Sequence, residues 1–118
     1  MDIKAYKKQL EEMVIIPMKE YAKEVEDCGF SKKDIKKCEA LILQYLTALE
    51  KLRHPGNQEI MEQVEHLVLA LNQLNEDTDY CMIETSEREA IWEIIQESAV
   101  DCGLTDPADD ITEEWREW

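Results

Sequence analysis

The stretch Lys32–Arg53, KKDIKKCEALILQYLTALEKLR, decides the fold class. Ile35, Cys38, Leu41, Ile42, Tyr45, Leu49 and Leu52 recur every three or four residues, which sets them on one stripe of an α-helix. Ser31 precedes the stripe and Asp34 follows three residues later, a capping-box start. Lys32, Lys33, Lys36 and Lys37 crowd the first turns, the end of a helix where cations are disfavoured. They read as a solvated surface, or as partners for acidic residues elsewhere in the chain. An apolar stripe of this length must be buried against other elements. The rest of the chain offers only more helices.

Upstream, residues 2–28 carry Ile3, Tyr6, Leu10, Met13, Tyr21 and Val25 at roughly helical intervals. Pro17 interrupts them and predicts a kink or break, because proline lacks the N–H and crowds the preceding turn. Gly29 is placed to stop that helix. Downstream, HPGN (54–57) ends the lysine-rich helix and Asn57 is placed to cap a third over 58–75, with Ile60, Val64, Leu67, Val68, Leu71 and Leu74 as its core face. NEDTDYCMIETS (75–86) then reads as a connection of a dozen residues, long for a helical bundle, with YCMI lying extended across the core. Thr85 or Ser86, with Glu89 at the box position, predicts a fourth helix over 87–102 that Gly103 ends. The tail 104–118 is acidic and finishes with Trp115 and Trp118, which suits a disordered segment, or one docked on the bundle or on a partner. The expected fold is therefore one all-α domain over 1–118. It is an antiparallel four-helix bundle, its first helix kinked or broken at Pro17, with an acidic C-terminal tail.

Composition agrees. At 118 residues and 44% hydrophobic, the chain can bury one core and no second domain. Its longest apolar runs, MVII and LVLAL, are far too short to cross a bilayer. MDIKAYKKQLEE at the N-terminus lacks the apolar centre of a secretory signal, so a cytoplasmic location is expected. The cysteines at 28, 38, 81 and 102 form no CxxC pair, and reduced, mostly buried thiols that pack rather than react are expected.

Charge is distributed unevenly. Residues 1–53 hold eleven basic and ten acidic side chains, a net of +1; residues 54–118 hold two and eighteen, a net of −16. Phosphate-rich partners such as nucleic acid or anionic membrane are repelled by such a surface, and a basic protein is attracted. The fourth helix concentrates the effect. Glu89, Glu93, Glu97 and Asp101 stand four residues apart with no lysine among them, and each like-charge pair opposes the helix by roughly 0.2–0.5 kcal/mol. Ile91, Ile94, Ile95, Ala99 and Cys102 occupy the opposite face, Trp92 falls on the border, and Val100 lies among the acids. An aromatic ringed by charges is the usual composition of a binding hot spot. The expected partner-binding residues are thus Glu89, Trp92, Glu93, Glu97, Val100 and Asp101. Asp77, Asp79 and Tyr80 of the long connection form a second group.

Catalytic motifs are weak. Glu62 precedes His66 by one turn, but the Glu-x-x-His pair of di-iron bundles never occurs, so no metal or other cofactor is expected. No serine or cysteine has a recognisable base and orienting group beside it. Glu59, Glu62 and Glu65 form overlapping Glu-x-x-Glu pairs. These partly resemble the magnesium site of all-helical MazG-type nucleotide pyrophosphohydrolases, which would imply a magnesium-dependent hydrolase. The second half of that pattern fails, since Val100 follows Glu97 by three and Asp101 comes one residue late.

IETSEREAIWEII (83–95) and DITEEWREW (110–118) resemble a group of small bacterial proteins over roughly the last third of the chain, a likeness that brings no functional residues with it. In type, though not by motif, the chain also resembles the acidic helical immunity proteins of bacterial toxin systems. That resemblance implies an inhibitor that covers a basic, nuclease-like toxin domain with carboxylates and aromatics, and no enzymatic activity. An acidic adaptor or structural bundle is the alternative expectation, with the hydrolase third.

Overall fold

Proline normally costs a helix one hydrogen bond and a clash with the carbonyl four residues back. The first helix nevertheless runs through Pro17. A computed structural model, which describes all 118 residues, shows α1 (Ile3–Leu10) passing into a π-helical turn (Glu11–Ile15) and then α2 (Ile16–Glu24) without a break. The Ile16 N–H donates to the Glu11 carbonyl, five residues back, so the turn just before the proline is widened by one residue. The expected break does not occur, and the chain passes Pro17 through this wider turn. The extra residue also shifts the phase of the apolar stripe. Leu10, Val14, Ile15 and Met18 are buried, whereas Met13, Tyr21 and Val25, expected on the core face, are exposed.

The rod ends at Glu24, earlier than expected. Val25 is extended, and the chain turns through Asp27 (φ 56°) and Gly29 (φ +93°), so Gly29 lies in the connection and not at the helix end. A Cβ there would sit 2.9 Å from the Cys81 Cβ. Glycine is what lets this turn press against the connection that leads into the last helix.

The capping box at the start of α3 (Lys32–Lys51) forms as its sequence indicates. The Asp34 N–H donates to Ser31 Oγ, and the Ser31 N–H to the Asp34 carboxylate at 2.7 Å. The next two helices, α4 (Asn57–Asp77) and α5 (Thr85–Cys102), begin without side-chain caps. Asn57 is the first residue of α4, not its cap, because its amide is committed to Thr105. Glu84 stands at the start of α5, and Ser86 bonds Glu87 rather than closing a box with Glu89. The C-terminus of α5 matches expectation: Gly103 (φ +122°) turns the chain, the Leu104 N–H reaches the Ala99 carbonyl, and the Gly103 N–H reaches that of Val100, each at 3.0 Å.

Because α4 runs longer and α5 starts earlier than expected, their connection shrinks to residues 78–84. Only half of YCMI enters the core: Met82 and Ile83 are buried, Cys81 is half-buried and Tyr80 is exposed. The Ile83 N–H donates to the buried Asn75 side chain at 3.1 Å, which pins the segment to α4.

The result is all-helical, and every helical segment contributes to a single apolar core. The tail is docked on it, with Leu104, Ile111 and Trp118 inside the same core. All four thiols are free, but only Cys38 is buried, where desolvation pushes its pKa up to about 12; the other three are half-buried, fewer buried than expected. No helix is long and apolar enough to cross a membrane.

Candidate partner-binding face

Burial divides α5 cleanly. Ala90, Ile91, Ile94, Ile95, Ser98 and Ala99 face the core, while Glu89, Glu93, Glu97, Val100 and Asp101 are exposed. The acidic stripe and the core stripe are back to back, as the helical period requires. No carboxylate of the stripe is in an ion pair, although the N-terminal ammonium lies near enough to act on Cys102 beside Asp101. The ion pairs of the molecule are Lys8–Glu12 at 3.9 Å and Arg116–Asp110 at 2.9 Å, and Lys32, Lys33, Lys36 and Lys37 pair with nothing acidic.

The stripe does have a neutral neighbour that sequence reasoning missed. Tyr6, on α1, donates its hydroxyl to Asp101 at 3.1 Å. Its phenol is pushed from 10.0 up to about 12, first by burial, then by the charge of Asp101, the hydrogen bond to it, and the charges of Glu97 and Asp2. Deprotonating Tyr6 would add a fourth anion to that group. The two residues are 95 apart in the chain, and only the packing of α1 on α5 joins them.

Trp92 is half-buried on the border of the stripe. Its indole N–H is covered and finds no acceptor, an arrangement that costs roughly 1–3 kcal/mol. A partner would meet part of the ring and not the N–H.

Asp77, the last residue of α4, and Asp79 and Tyr80 after it are all exposed. Asp79 (φ 55°) and Tyr80 (φ 61°) are both left-handed, a conformation that a bulky residue adopts at a cost of roughly 1–3 kcal/mol. The Tyr80 N–H donates to the Asn75 carbonyl at 2.7 Å, which holds the turn, and the residue is 61% exposed. This group lies just before the N-terminal end of α5, whereas Asp101 lies about 18 Å beyond Glu89 along that helix. No hydrogen bond or ion pair joins the two groups.

The acidic tail is a further surface, for which the sequence left open docking on the bundle or on a partner. Three amide side chains strap the tail to the helices. Asn72, on α4, donates to the Trp115 carbonyl at 2.8 Å and accepts from the Glu117 N–H at 2.9 Å. Gln96, on α5, donates to the Ala108 carbonyl and accepts from the Ile111 N–H; Asn57 does the same for Thr105. Arg116 closes the fold by pairing with Asp110 and lying over the Trp118 ring, 5.5 Å from its centroid. Asp106, Asp109, Glu113, Glu114 and Glu117 are thereby displayed from an ordered segment. The available signal was Asn72, a polar residue beside Leu71 on a core face, since buried amides require partners.

The remaining candidates are dispersed. Glu59 and Glu62 are exposed and Glu65 half-buried; His66 is exposed and His54 sits in a left-handed turn. No three His, Cys, Asp or Glu side chains are grouped to hold a metal ion. No protein-family model, curated protein or solved structure matches the chain.

Proposed function

We propose that this chain is an acidic binding protein that covers a basic protein partner, acting in the cytoplasm as an inhibitor or immunity protein toward a nuclease-like toxin domain. The observation that carries the reading is the uncompensated stripe of Glu89, Glu93, Glu97 and Asp101. Surface carboxylates that repel one another in the free protein gain when partner cations arrive, so their cost in isolation becomes affinity in the complex. The ordered acidic tail extends the same field. We further infer an antiparallel packing of the helices. Tyr45 meets Ser98, and Cys102 meets Leu49, which supports the same sense for α3 and α5; Asn57, at the start of α4, meets Thr105 just past the end of α5.

A field of this kind raises association rates by about 10- to 1,000-fold and is screened beyond about 8 Å at physiological salt. The test is to capture partners from the source cell and measure surface binding at low and high salt. Glu93→Lys and Glu97→Lys should keep the fold and slow association, while Trp92→Ala should mainly speed dissociation. If the reversals bind as wild type does and salt has no effect, the stripe is a solubility device and the proposal fails.

A further inference from the structure

One region of this acidic protein has the opposite sign and a cavity beneath it. Between α2 and the start of α3 lies a hollow of ≈ 520 Å³, within the roughly 300–1,000 Å³ range of small-molecule sites. Lys19 and Lys23 line it from α2, and Lys32 and Lys36 from α3. Each pair is four residues apart, so each helix presents one lysine ridge to the hollow. Ala22, Phe30 and Ile35 supply apolar walls. No carboxylate lines it, and none of the four lysines is in an ion pair.

Local energetics disfavour most of this arrangement, although Lys23, in the last turn of α2, has the helix dipole in its favour. The like-charge pairs oppose their helices by roughly 0.2–0.5 kcal/mol each. Lys32 and Lys36 also sit in the opening turns of α3, against the helix dipole. A bound anion reverses both penalties, and the apolar walls reward a ligand with a hydrocarbon or aromatic body. We propose that this hollow binds a small anionic amphiphile, its carboxylate or phosphate head held between the two lysine ridges and its apolar part against Phe30, Ala22 and Ile35. The site is independent of the acidic face of α5.

Cys28 also lines the hollow and is half-buried, so its alkylation reports occupancy; Cys81, outside it, serves as the internal control. The full chain is titrated by calorimetry with decanoate below its micellar concentration, with decanol, and with inorganic phosphate, while the alkylation of each thiol is followed by mass spectrometry. Decanoate should bind one to one and slow alkylation of Cys28 but not of Cys81. Decanol and phosphate alone should bind at least about tenfold more weakly, the loss expected when a charge-assisted hydrogen bond or the apolar contact is missing. Lys32→Glu should weaken decanoate by a similar factor. It places an acid where the helix dipole favours one, so its melting temperature, measured alongside, should not fall below that of wild type. Equal affinity for decanol, full protection of Cys28 by phosphate, or undiminished binding to Lys32→Glu would overturn the proposal. Binding only to phosphatidylglycerol vesicles, with none to monomeric decanoate, would overturn it too and assign the patch to a membrane surface.

Discussion

Tyr6 shows how one side chain can register a surface assembled from distant parts of the chain. Its hydroxyl is a donor to Asp101 only while protonated, and burial first, then Asp101, Glu97 and Asp2, oppose its ionisation. The folded-state pKa is raised above the unfolded one, so its contribution to stability is present below pH 10 and is lost as pH rises through about 12. Wild type should therefore lose stability between pH 10 and about 12 more steeply than Tyr6→Phe, whose ring cannot ionise. Thermal melts of both proteins across that window check the sign. An unchanged slope would mean that Tyr6 is neither buried nor held against Asp101 in solution.

At the level of the element, α5 balances an apolar face that anchors it against an acidic face that resists it. Nothing in the protein neutralises Glu93, which has neither hydrogen bond nor ion pair. Glu93→Gln should accordingly stabilise the isolated protein, by about 0.5 kcal/mol, as two like-charge neighbours are relieved. Sodium chloride should raise the melting temperature of wild type by more than that of the variant, because screening then has less repulsion to remove. Paired melts at low and moderate salt measure this. A loss of stability in Glu93→Gln would reveal a structural partner for the carboxylate.

At the level of the whole molecule, the docked tail joins α4 and α5 into one body. Asn72 holds the peptide groups of Trp115 and Glu117, so Asn72→Ala removes two part-buried hydrogen bonds and should cost roughly 1–3 kcal/mol, at about 0.5–1.5 kcal/mol for each. The expected readouts are a red shift of tryptophan fluorescence as Trp115 and Trp118 become wetted, and faster tryptic cleavage after Arg116. If both match wild type, the tail is held by the apolar contacts of Ile111 and Trp118 alone.

Periodicity determined much of this protein on its own. The apolar stripes of α3, α4 and α5, the capping box at Ser31, the glycine stop at Gly103 and the back-to-back faces of α5 are local features, set by the repeat of about 3.6 residues per turn and by short-range hydrogen bonds. The uneven charge was legible for the same reason, since it is a property of the residue list. Only the tertiary structure decided the rest. Pro17 is accommodated by a π-helical turn because Leu10, Val14, Ile15 and Met18 reach one core when the phase shifts there, a gain that the proline itself does not encode. Gly29 is required by Cys81, Tyr6 is perturbed by Asp101, and the tail is ordered by Asn57, Asn72 and Gln96. Each of these is a contact between segments far apart in the chain, and no local rule reports which distant backbone an amide or a glycine will meet.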